Sequence, residues 1–290
     1  MRYRPRRSAL YMPASNARAI EKARGLPCDV VILDLEDAVA PDAKPLAREK
    51  AVEAVQAGGF GRREVVIRCN GLDTPWGAED LAAAARAGPD AVLVPKVGGP
   101  ADIAAYEAAL QAAPEHTALW AMIETTRSLF QLDAIAGLGA TTRLGALCLG
   151  LNDLAREMGA RQTADRAPFW SALSLSVAAA RTHGLVVLDS VFNAIGDDAA
   201  LEQVCRQGAD FGFDGKTLIH PSHLDICNRI FSPDAVALKW ARAVIEAYER
   251  PENAAKGALQ VGGRLAERLH LQQSLRLVSL ADSIADAETP

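Results

Sequence analysis

The stretch Ala118-Leu-Trp-Ala-Met-Ile-Glu-Thr125 is an apolar run that stops abruptly at a carboxylate. A run this short suits a buried strand, and the residues after it have helical rather than strand composition. The same unit recurs on both sides of it. Apolar or β-branched runs occupy 8–12, 30–36, 64–69, 91–95, 118–123, 145–149, 185–191 and 209–214, with centres roughly 23 to 40 residues apart. That spacing accommodates a strand with its crossover helix and is too long for hairpins. Ala-rich segments at 78–87, 103–112 and 168–183 supply good helix formers between the runs. Eight such units predict an α/β fold, a TIM (β/α)8 barrel over 1–230. A C-terminal helical extension over 231–290 follows, with helices expected at 234–249 and 266–283 and a glycine-containing stretch at 257–263 between them.

Polar residues follow several of the runs: Asp34, Glu36 and Asp37, then Arg68 and Asn70, Lys96, Glu124, Asn152 and Asp153, Asp189 and Ser190, and Lys216. In such a barrel the active site is assembled at the C-terminal strand ends from several strands at once. Asp37, Asp73 and Asp102 also suit helix N-caps, a role that does not explain Arg68, Lys96 or Glu124. Glu124 and Asp153 close neighbouring runs, and neighbouring strands lie about 4.8 Å apart, so the two carboxylates could share one cation. Oxygen donors without Cys or His select a hard ion such as Mg2+. Structural ion pairs with Arg68 or Arg127 are the alternative at this point. Arg68 has the fork that grips a substrate carboxylate. Lys96 and Lys216 sit where either a Schiff base or an anion contact is feasible. His220 fits a rim or a cap position; His116, His183 and His223 read as surface or packing residues. Ser190, Val191 and Phe192 are expected to line the substrate pocket.

Composition narrows the class. Half of the 290 residues are hydrophobic and 23% are charged, enough apolar surface to fold, and a net charge of −5 gives no basic footprint for nucleic acid. No apolar run has membrane length, and none follows the basic start as in a secretory signal. Five scattered cysteines without a CxxC pair indicate reduced thiols and a cytoplasmic setting. GxSxG, GxGxxG and Walker-type motifs are absent.

Six motifs together resemble the citrate lyase β-subunit-like proteins of the HpcH/HpaI aldolase superfamily. They are Arg7-Ser-Ala-Leu-Tyr-Met-Pro13, Asp34-Leu-Glu-Asp-Ala-Val39, Val66-Ile-Arg-Cys-Asn-Gly71, Val94-Pro-Lys96, Met122-Ile-Glu-Thr125 and Gly150-Leu-Asn-Asp-Leu154. The resemblance implies a Mg2+-dependent C–C lyase that cleaves a malyl-, citramalyl- or citryl-type β-hydroxyacyl thioester into an acyl thioester and a keto acid. It implies Glu124 and Asp153 as metal ligands, Arg68 as carboxylate anchor, Glu124 also close to substrate, and Glu36 and Asp37 bonded to the metal's waters. Arg7 and Lys44 match positions beside the acyl-CoA arm. Gly263-Arg-Leu-Ala-Glu-Arg-Leu-His270 resembles the segment in which relatives carry the catalytic acid for a neighbouring subunit, with Glu267 where Asp is expected and Leu269 for Pro. A homo-oligomer, trimer or hexamer, is implied as well. Alternatives are a thioesterase on the same substrates, a subunit acting on an acyl-carrier-protein thioester, a free keto acid aldolase, and a non-catalytic structural subunit.

Overall fold

The computed structural model describes residues 4–253 and 255–288. Eight parallel strands form a closed barrel: β1 Ser8–Pro13, β2 Val30–Asp34, β3 Glu64–Arg68, β4 Ala91–Val94, β5 Ala118–Ile123, β6 Leu144–Leu149, β7 Val186–Asp189 and β8 Gly215–Leu218. β8 closes the ring on β1, with Ser8 in register with Lys216. Helices follow the strands, as parallel pairing requires.

Side chains alternate between the barrel interior and the helix layer. Val30 and Ile32, Val66, Trp120 and Met122, and Ala146 and Cys148 belong to one buried cluster inside the ring. Continuing this period of two carries Asp34 and Arg68, the last residues of β2 and β3, to the same inner face at the C-terminal mouth. They are also direct register partners. The opposite end is closed by Arg6, whose guanidinium grips Glu64 at the start of β3 and lies 5.5 Å from the Trp120 ring centre.

The last barrel strand differs from the expected 209–214. The helix Asp198–Phe211 runs through that segment and ends at Gly212, which adopts φ +97. The strand is Gly215–Leu218, whose Gly and Lys break the apolar pattern. Lys216 is tolerated inside, fully buried, because its register partner is Asp189 at the end of β7.

The chain divides into two compact units, one spanning Arg6–Arg229, the other Ile230 onward together with Arg4 and Pro5. In the second unit the helix Ala235–Glu249 is capped by Asp234, which accepts from the amides of Val236 and Ala237. It packs on the helix Arg268–Glu288. Between them a hairpin, β9 Ala258–Val261 and β10 Arg264–Glu267, replaces the expected start of a helix at Ala266. Its turn is Gly262-Gly263, both at positive φ (+55 and +79), a conformation suited to tight hairpins and open to glycine. Tyr248, Val244, Val261 and Ala266 form this unit's small core. All five cysteines are buried, free thiols. Among the described residues no helix is long and apolar enough to cross a membrane.

Candidate active site

Arg68 lies in the mouth of the barrel in a fixed orientation. Its Nε and Nη2 donate to the two carboxylate oxygens of Asp34 at 2.7 and 2.6 Å, and its guanidinium stacks 4.6 Å over the Tyr11 ring. Burial alone would favour the neutral form, but Asp34 overrides it and holds the group charged. The third nitrogen, Nη1, is 2.9 Å from Glu36 and 3.5 Å from the exposed Asp37. The sequence reading placed Asp34 among the polar strand ends but gave it no role. The signal was available, since Asp34 and Arg68 end neighbouring runs at the same height and on the same face.

Glu36 is buried, accepts from Lys96 Nζ at 2.6 Å, and has its pKa raised chiefly by that burial. The loop carrying it is fastened from below by Lys44, whose ammonium donates to the carbonyls of Leu35 and Glu36 (2.9 Å each) and to Asn70 Oδ1 (2.7 Å). Lys44 also lies 5.0 Å from the Trp76 ring centre and is 6% exposed. Its three donors are all engaged inside the protein, whereas Lys44 was expected beside the acyl-CoA arm. Asn70 is held in turn by Asp80 (2.6 Å), which also accepts from Arg48. Arg7, the other residue expected beside that arm, lies elsewhere. It precedes β1, at the end of the barrel opposite the mouth, and its Nε and Nη2 grip both oxygens of Asp29 at 2.9 Å.

Glu124 follows β5 and is 3% exposed. Its Oε1 accepts the backbone N–H of Lys96 at 2.8 Å, and Lys96 adopts φ +52, a left-handed conformation rare outside glycine. Among the described residues no arginine or lysine side chain forms a salt bridge with Glu124. Burial, then the nearby carboxylates of Glu36 and Asp153, push its pKa up to about 7. Gly150, in the loop after β6, is where Glu124 needs room. A Cβ there would overlap Glu124 Oε2 and lie 2.6 Å from Glu124 Cβ. Asp153 sits in the first turn of the helix Leu151–Met158, where the helix dipole favours an anion, and its Oδ1 is 2.5 Å from the largely exposed Arg156. The pair therefore does not form ion pairs with Arg68 or Arg127, the alternative that spacing left open.

Farther round the rim, buried Asp189 accepts from Arg166 Nη1 (2.8 Å to each oxygen) and from Lys216 Nζ (3.0 Å). Burial pushes the Asp189 pKa up, yet the two cations hold it below the ordinary carboxylate value. Lys216 also donates to the Ser190 carbonyl. It is thus a buried structural cation. Arg166, at φ +56 in the loop after the Leu151–Met158 helix, carried no sequence signal. His220 caps the turn at Pro221–His223 by accepting the amide of Ser222. Ser190, Val191 and Phe192 do line a cavity, of about 250 Å3, at the ends of β6 and β7. Glu267 ends β10 in the second unit, exposed, with its amide donating to His270 Nδ1 at 2.9 Å.

No group of three or more His, Cys, Asp or Glu side chains gathered to hold a metal occurs among the described residues. Glu124 and Asp153 are the pair of carboxylates at the mouth that is not paired with Arg68 or Lys96 side chains. Such a pair fits Mg2+, which is commonly held by one or two protein carboxylates and completes its shell with water and substrate oxygens. The buried, unneutralised Glu124 is the feature that a cation would relieve.

Residues 7–221 match the family model HpcH/HpaI aldolase/citrate lyase. The chain is 43% identical over 281 residues to a (3S)-malyl-CoA thioesterase of Cereibacter sphaeroides, covering 97% of this chain and 96% of the relative. It is 33% identical over 308 residues to an L-malyl-CoA/beta-methylmalyl-CoA lyase of the same organism, with the same coverage. Among solved structures, the CitE protein of Mycobacterium tuberculosis in complex with magnesium, acetoacetate and coenzyme A superposes with a TM-score of 0.76 at 28% identity. That match covers 97% of this chain and 100% of the other.

Proposed function

The chain belongs to the HpcH/HpaI aldolase/citrate lyase family, and from that footing we propose that it acts on a malyl-type β-hydroxyacyl thioester of coenzyme A. The reaction assigned to it breaks the bond between the hydroxyl-bearing carbon and the carbon next to the thioester. The observation that carries the reading is the buried Glu124 beside Asp153, next to an arginine already oriented by Asp34. Glu124 and Asp153 would hold Mg2+, which supplies Lewis acidity toward the hydroxy-acid oxygens when bound.

The remaining tasks fall to the chain's own side chains. Asp34 orients Arg68 through Nε and Nη2, and the substrate carboxylate is assigned to the Nη1 edge, where it would take the place of the contacts to Glu36 and Asp37. Lys96 fixes Glu124 through its amide and Glu36 through its ammonium. On cleavage the hydroxyl gives up its proton to solvent, the pair of the breaking C–C bond passes to the carbon next to the thioester as its enolate, and that carbon takes up one proton. Glu267 is assigned as the donor of that proton, supplied within a homo-oligomer. The products are a keto acid and an acyl-CoA.

A second reading, hydrolysis of the thioester itself, is favoured by the 43% identity to a malyl-CoA thioesterase. The relatives' coenzyme A substrates favour that carrier over an acyl-carrier protein.

Incubation of the protein with malyl-, citramalyl- and citryl-CoA, with Mg2+ or with EDTA, separates the readings. Keto acid with acyl-CoA, lost in EDTA and in Glu267→Ala, supports the lyase. Free CoA with the intact hydroxy acid supports the thioesterase. Turnover of none of the three, with or without Mg2+, refutes both.

A further inference from the structure

The steps above leave unused the cavity of about 250 Å3 at the ends of β6 and β7. Its wall begins at Leu151 and Asn152, immediately before Asp153, and continues through Val191 and Phe192 after β7. Arg68, Glu36 and Lys96 lie on the other flank of the carboxylate pair, at the ends of β2 to β4. A substrate with its carboxylate at Arg68 and its reacting carbons at Glu124 and Asp153 therefore has this cavity next to it. Resting on the function proposed above, we infer that the cavity receives an aliphatic branch carried by one of the two reacting carbons, so that the preferred thioesters bear roughly three to six extra carbons.

Size and chemistry both support this assignment. A cavity of about 150 Å3 already holds a benzene-sized group, so 250 Å3 is far more than a hydrogen or methyl fills. Phe169 and Val204 supply a buried apolar floor. The one charged side chain in the wall, Arg166, is committed, with Nη1 on both Asp189 oxygens and Nε on Gln207 at 2.6 Å. The rim is polar but closed on itself. Asn152 and Asn193 exchange amide hydrogen bonds (3.2 and 2.8 Å), and Gln162 donates to Asn152 Oδ1 at 2.8 Å. A hydrocarbon branch entering the cavity leaves those bonds intact and displaces water from apolar walls.

The test is a series of malyl-CoA analogues bearing hydrogen, methyl, propyl, isobutyl or carboxymethyl on either reacting carbon. One methylene in a hydrophobic pocket is worth about 10-fold or more in discrimination. The expected result is kcat/KM at least about 10-fold higher for propyl or isobutyl than for hydrogen. Val191→Phe should reverse that preference, and Phe192→Ala should extend it to longer branches, with folding of both checked by thermal melting. A preference for the unbranched or carboxymethyl substrate, or an equal effect of Val191→Phe on every substrate, overturns the inference. If no thioester is turned over, the proposed reaction fails and calorimetry decides the cavity separately. Isobutylmalate binding about 10-fold tighter than malate supports it, and equal binding overturns it.

Discussion

Replacing Gly150 by Ala adds one carbon next to Glu124 and nothing else. The backbone there has φ −118 and ψ 80, so alanine meets no conformational barrier and the effect is steric. The new Cβ would lie 2.6 Å from Glu124 Cβ and 3.0 Å from Met122 Cε, whereas ordinary contact begins at 3.4 Å. Glu124 or the Gly150 backbone must give by about 0.8 Å, which disturbs the seat that the Lys96 amide holds for Glu124. A displacement near 1 Å at a reacting centre costs about 10²-fold in rate, equivalent to about 2.7 kcal/mol of barrier. Overpacking is expected to lower stability by about 1–3 kcal/mol as well. Gly145 at the other end of β6 is the control. A Cβ there meets the Ala118 Cβ at 3.7 Å, an ordinary contact, so Gly145→Ala should be neutral or slightly stabilising. Steady-state kinetics across a Mg2+ titration, beside thermal melts, measure both variants. A Gly150→Ala enzyme with kcat/KM within about threefold of the parent and an unchanged Mg2+ dependence would refute the tight seating of Glu124.

Lys44→Met should destabilise the chain by about 2–4 kcal/mol in denaturant titrations, because it strands two carbonyls and Asn70 Oδ1. It should lower kcat through Glu36 without raising KM for the thioester; a raised KM at unchanged stability would return Lys44 to the substrate arm. Asp189→Leu leaves Arg166 and Lys216 buried without their counter-charge and should cost about 3–5 kcal/mol, read by the same titrations. An effect under about 1 kcal/mol would show that the trio is not cohesive. His223 is buried against Phe192 and His220, with Lys216 and Asp198 also acting on it, and burial first, then His220, push its pKa down from 6.5. Its contribution to stability is full above 6.5 and is lost as pH falls from there through the lower folded value, because the unfolded chain takes up a proton first. Melting curves of His223→Gln should thus lose less between pH 7.5 and 5.5 than those of the parent; parallel curves would refute the assignment.

Most of the barrel is legible because strands β2 to β6 are continuous apolar runs closed by polar residues, and a buried parallel strand needs nothing else to announce itself. β8 is not legible in that way. Its lysine is acceptable only because Asp189 stands opposite in the neighbouring strand, a partner 27 residues away that no local pattern reveals. The hairpin before Glu267 was hidden by helix-forming residues on its second strand, although Gly262-Gly263 was the cue. At the mouth, sequence identifies which strand ends carry charge but not which charges are spent on each other. Arg68 and Lys44 look alike as available cations. Register gives Arg68 an acid at its own height and turns Nη1 toward Glu36 and the exposed Asp37, while the chain folds Lys44 under the Glu36 loop.

Lys96 has a mechanical consequence. One residue holds Glu124 with its main chain and Glu36 with its side chain, and it does so from a conformation costing on the order of 1–3 kcal/mol. A shift of the segment after β4 would thus bear on both acids at once, through one hydrogen bond to each. Lys96→Gly, which relaxes the backbone and deletes the ammonium, would leave Glu124 its amide bond and take away the link to Glu36.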